Sequence, residues 1–134
     1  MVPQGKGGAM DARLESRLTA MAEQSEHRAM ARATAKLLAA RRPSLLDAGW
    51  APTPGASWVG VVRHSGKLEP CLLESIRDGW AYVTPLESVA LQRRTGVPRR
   101  TFYKGACWVF QLSPAQTRAA RAKHPEVPPP ESHR

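Results

Sequence analysis

WVGVVRHSGKLEPCLLESIRDGWAYV, residues 58–83, is where the periodicity of the chain changes to two and its fold class is decided. WVGVVRH (Trp58–His64) is β-branched and aromatic, and Ser65-Gly66-Lys67 makes the turn after it. CLLESI (Cys71–Ile76) is a second strand, with Pro70 at its start, where a missing ladder donor is tolerated. Asp78-Gly79 joins it to WAYV (Trp80–Val83), and Asp-Gly between two apolar runs is the strongest short-range hairpin signal. The expectation is a three-stranded antiparallel meander with Trp58, Trp80 and Tyr82 on its faces.

Downstream comes TPLESVALQRRTGVPRRTFYK (Thr84–Lys104). Thr84 at N-cap, Pro85 at N1 and Glu87 at N3 predict a capped helix. Leu86, Val89 and Ala90 suit its core face, and Gly96 its left-handed stop. Arg93 and Arg94 fall in the last turn, where cations suit the helix dipole. Two backbone readings of Val97–Lys104 remain open. A helix from Pro98 would place Arg99/Tyr103 and Arg100/Lys104 on one outward face, with Val97 and Phe102 turned to the preceding helix. A strand edge would leave both faces mixed.

RRTGVPRRTFYK resembles the turn and second helix of bacterial helix-turn-helix regulators. Gly96, Val97 and Phe102 match the turn glycine, the buried turn residue and the core residue of the recognition helix, whereas Gln92 stands where the family usually has a small residue. The resemblance spans about 20 of the 134 residues. It implies that Arg99, Arg100, Tyr103 and Lys104 face a DNA groove while Arg93 and Arg94 grip the backbone.

After this stretch, ACWVFQL (Ala106–Leu112) alternates as a strand that would complete the sheet. Ser113, Pro114 and Gln116 repeat the capping-box logic and start a last helix to about Lys123. The Pro-rich residues 124–134 predict a disordered tail. Upstream, APTPGA (Ala51–Ala56) is a rigid connector, preceded by a Ser44-to-Asp47 turn of helix. Residues 11–42 predict a basic helical arm beginning at Asp11 and stopped by Pro43, after a disordered 1–10. Its apolar stripe of Leu14, Leu18 and Met21, then Met30, Ala33 and Leu37, is thin enough to suit a homodimer or a protein partner. The whole is an α+β protein: a long N-terminal helix, a small antiparallel sheet of about four strands (barrel-like in the alternative), an inserted helix and a C-terminal helix, with residues 57–123 as the core domain.

Net charge is +9, and its placement matters more than its total. Residues 88–134 hold nine Lys/Arg against two Asp/Glu, whereas residues 48–87 hold three against four. Such a localised excess is the electrostatic footprint of a phosphate-backbone partner. Arg93, Arg94, Arg99, Arg100, Tyr103 and Lys104 are the candidate nucleic-acid contacts, with Arg28, Arg32 and Lys36 on the arm as secondary ones. Five phosphate contacts on duplex DNA would give a log–log salt slope of about −4 to −5. Catalysis has little support: His64-Ser65 is a turn dipeptide, Cys71 and Cys107 fall in strand-like runs, and no metal-ligand spacing occurs. No cofactor is expected, and no apolar run approaches the ~18 residues that cross a bilayer. Two cysteines outside any CxxC, with no signal peptide, point to a cytoplasmic protein. The expected function is non-enzymatic nucleic-acid binding, to DNA rather than RNA, in a regulatory or accessory role. The alternative is a protein-interaction module or inhibitor whose basic face and loose helix dock on a larger acidic partner.

Overall fold

A computed structural model of the chain describes residues 4–130; for residues 4–11 only the backbone is described. The elements are α1 (Gln4–Ala39), β1 (Trp58–Val62), β2 (Leu68–Arg77), β3 (Trp80–Pro85), α2 (Leu86–Thr95), β4 (Phe102–Gly105), a 3-10 turn (Ala106–Trp108), β5 (Val109–Phe110) and α3 (Pro114–Lys123). The fold is α+β. The sheet is antiparallel and open, in the order β4-β3-β2-β1-β5.

The meander forms as its turns dictate. Asp78 and Gly79 both take positive φ, 52° and 77°, as a two-residue hairpin requires. A bulge between Leu73 and Ser75 bends β2. The sheet curls enough that Arg63, following β1, stacks 4.7 Å over Phe102 of β4, although β2 and β3 lie between them in the sheet. Val59, Val61, Cys71, Leu73, Ala81, Val83 and Val109 fill the inside of this curl, closed off by Trp50 and Leu45 of the connector. Each fully buried aliphatic chain contributes about 1.5–3 kcal/mol of apolar burial. The other face is covered by α2 and α3 over Trp58, Leu72 and Leu112, and by Met30, Ala33 and Leu37 of α1 over Val62 and Phe110.

Several boundaries differ from expectation. The sheet has five strands because Phe102–Gly105 pairs with β3, while ACWVFQL contributes a 3-10 turn and a strand of two residues. The connector accounts for that short strand. Ser44 bridges Phe110, Leu45 donates to the Val109 carbonyl and Gln111 to that of Pro43, so irregular chain covers this edge. Ser44–Asp47 is a hydrogen-bonded turn in which Asp47 accepts from the Ser44 N–H at 2.7 Å.

The helix α1 begins at Gln4 rather than Asp11, since extending a formed helix adds a hydrogen bond per residue. It ends at Ala39, and a turn through Ala40–Arg42 leads to Pro43. Arg41 takes φ 57°, and the N–H groups of Arg41 and Arg42 close back on Leu38 and Leu37. Arg42 also donates to the Gln111 carbonyl and to Gln116 Oε1, tying the arm to the capped start of α3. Of the expected tail, His124 and Val127 are buried against the core, while residues 131–134 lie outside the described residues, as do residues 1–3.

Candidate nucleic-acid interface

The interface is built where α2 returns the chain to the sheet. Leu86, Val89 and Ala90 are buried, and Gly96 at φ 77° stops the helix by donating to the Gln92 carbonyl at 2.7 Å. The start differs from the expected capping box. Thr84 still pairs with Leu72 in the sheet and is fully buried, so the N-cap falls on Pro85 with no side-chain hydrogen bond. The Thr84 hydroxyl instead donates to Glu74 Oε2 at 2.8 Å and lies 3.0 Å from the Thr101 hydroxyl.

Residues 97–101 have no regular secondary structure, and Phe102–Lys104 belong to β4. The strand-edge backbone is therefore the one adopted, and no helix follows Gly96 before Ala106. The single outward face of Arg99, Arg100, Tyr103 and Lys104 required a helix, and the strand divides it. Val97, the expected buried turn residue, is 49% exposed, and Phe102 packs inside the sheet's curl under Arg63. Polar tethers hold the segment down: Arg99 donates to Glu74 Oε2 at 3.0 Å, and the Arg100 N–H donates to Ser88 Oγ at 2.9 Å.

The candidate cations separate into paired and unpaired groups. Arg99 is bound to Glu74, and Arg94 lies 3.2 Å from Glu126. Arg93, Arg100 and Lys104 make no ion pair among the described residues. Lys104 and Tyr103 point to opposite sides of the strand. The Lys104 ammonium is held below the usual lysine range by partial burial and then by the neighbouring Arg63 guanidinium. Arg28, Arg32 and Lys36 are exposed on α1 and make no hydrogen bond or ion pair to this cluster among the described residues.

Tyr103 itself has company that the linear spacing concealed. It stands opposite Tyr82 on β3, with ring centroids 6.0 Å apart, and meets Trp80 edge to face at 5.4 Å and 87°. Arg77 stacks 4.1 Å over Tyr82. The cross-strand register collects these four residues, and Asp78-Gly79 was the sequence signal that fixed it. Trp80 and Tyr103 are 47% and 60% exposed.

The remaining titratable groups do not assemble into a centre. His64 Nδ1 is 3.8 Å from Glu26 of α1, both exposed. Burial, and then Glu69, push the Cys71 thiol far up, so it stays protonated. No group of three or more potential metal ligands occurs among the described residues. No helix among them is long and apolar enough to cross a membrane. Comparison with known proteins gives no match among family models, curated proteins or solved structures.

Proposed function

We propose that this chain is a non-enzymatic nucleic-acid-binding protein, binding DNA rather than RNA, in a regulatory or accessory role in the cytoplasm. The observation that carries the reading is the charge left unpaired beside an exposed aromatic edge. Glu74 and Glu126 neutralise Arg99 and Arg94, yet Arg93, Arg100 and Lys104 make no ion pair among the described residues, and Tyr103, next to Lys104 on β4, is exposed. Unpaired cations gain by displacing the counterions of a polyanion, whereas a cation already in an ion pair must first give up its carboxylate.

Fluorescence anisotropy of the full chain with labelled DNA, titrated from ~50 to ~200 mM salt, tests it. Three phosphate contacts predict a log–log slope of about −2 on a single strand and about −3 on a duplex. Absence of binding to either at ~50 mM salt overturns the reading.

A second reading rests on α1, where Leu14, Leu18 and Met21 are all more than half exposed on a helix that touches the core only further on. In that version the arm pairs with another chain, and the basic surface meets an acidic partner.

A further inference from the structure

We infer that Trp80 and Tyr103, supported by Tyr82 and Arg77, form a stacking platform for unpaired bases, so that the ligand class is single-stranded DNA. The inference rests on the nucleic-acid reading above and specifies which form of nucleic acid the surface takes.

The two outer rings are presented rather than packed. β4 is the outermost strand, with no strand paired to its outer side among the described residues, and Tyr103 projects from its middle. Across from Trp80 the edge strand supplies Gly105, which has no side chain to lay over the indole. Edge strands are ordinarily blunted by charge, so a half-exposed Tyr103 on β4, with a half-exposed Trp80 beside it on β3, is poorly explained by folding alone. The inner residues act as support. Tyr82 is half-buried between β2 and β4, and the Arg77 guanidinium covers its ring at 4.1 Å, which holds Tyr82 in place beneath Tyr103.

Ring orientation selects the ligand. Trp80 and Tyr103 stand at 87°, so bases stacked on each would lie nearly perpendicular to one another. In a duplex, successive bases are parallel and about 3.4 Å apart along each strand, and their faces are covered by their neighbours. Only nucleotides already released from pairing and from mutual stacking can use both rings. Arg77 is exposed, makes no ion pair among the described residues, and brings a positive charge to the ring cluster through Tyr82. An acidic protein surface could meet this arginine, but it would have no use for two rings set at right angles.

The test uses the full chain with fluorescein-labelled (dT)15, a 15-base-pair duplex, (rU)15 and polyglutamate as competitor. The platform predicts that (dT)15 binds at least about tenfold tighter than the duplex. Tyr103→Ala should weaken (dT)15 by roughly 5- to 150-fold, the range of one lost base stack, and leave duplex binding within about twofold. Tyr103→Phe, which keeps the ring, should restore binding to within about twofold. Trp80→Ala gives an independent second measurement, and circular dichroism melting checks that each variant is folded. Equal affinity for single strand and duplex, unchanged by Tyr103→Ala, overturns the platform while leaving nucleic-acid binding intact. Loss of all binding at ~50 mM salt in the parent chain overturns both. Tenfold preference for (rU)15 overturns the assignment to DNA. Displacement of (dT)15 by an equal charge concentration of polyglutamate overturns it in favour of an acidic protein.

Discussion

Glu74 accepts from two directions at once, from the buried Thr84 hydroxyl and from the Arg99 guanidinium. One carboxylate therefore ties both the end of β3 and the irregular segment that leads into β4. Glu74→Ala would leave the buried Thr84 hydroxyl with Thr101 alone and remove a hydrogen bond to a charged acceptor, and should cost about 1–3 kcal/mol in urea denaturation. Arg99→Ala should lower stability by less, since Arg99 is a third exposed, and should leave the salt slope of DNA binding unchanged. A slope reduced by about one would instead show Arg99 on a phosphate. This pairing was hidden in the sequence, where no acid lies between Glu87 and Glu126. The carboxylate comes from the bulge in β2, three elements back. Thr84 misled for a related reason. Its local pattern is that of an N-cap, but Leu72 across the ladder holds it in the strand, and a residue paired in a sheet cannot also turn its side chain to the helix start.

At the level of elements, signals that act within a few residues were legible and those that need a partner were not. Asp78-Gly79, Gly96 and the Ser113/Gln116 box all form as local chemistry demands, because each closes hydrogen bonds within its own turn. The alternation in ACWVFQL was as regular as that of any other strand, yet only two of its residues pair with β1. Its outer edge is met by Pro43–Leu45, a contact that no periodicity announces.

The arm shows the same limit. Gln4–Ala39 is about 54 Å long at 1.5 Å per residue, and its packing against the core involves Met30, Ala33 and Leu37. Removing residues 1–25 should therefore shift the unfolding midpoint of the core by the equivalent of less than about 1 kcal/mol. Met30→Ala, which empties a buried site, should cost about 2–5 kcal/mol. If the truncated chain melts far below the parent, or sediments as a monomer where the parent is a dimer, the first half of α1 is an interaction element and the second reading gains.

For the molecule as a whole, charge is distributed by the fold rather than by the sequence alone. The five cations of the 93–104 stretch suggested a slope of −4 to −5. Folding brings Glu74 and Glu126 to two of them, and turns Lys104 to the side opposite Tyr103. The expected slope falls accordingly, and the contact surface moves from a helix face to the margin of a sheet. Arg77 and Trp80, from the hairpin two strands upstream of any basic run, join it only through register.

The two margins of that sheet are unequal: connector chain lies along β5, and β4 has no neighbour beyond β3 among the described residues. Self-association that extended the sheet would therefore have one usable side per molecule. Two copies could join across a two-fold axis, and each would then have spent the one free margin found among the described residues. A fibril needs both sides of every copy, so the geometry that exposes Tyr103 also sets growth to end at two.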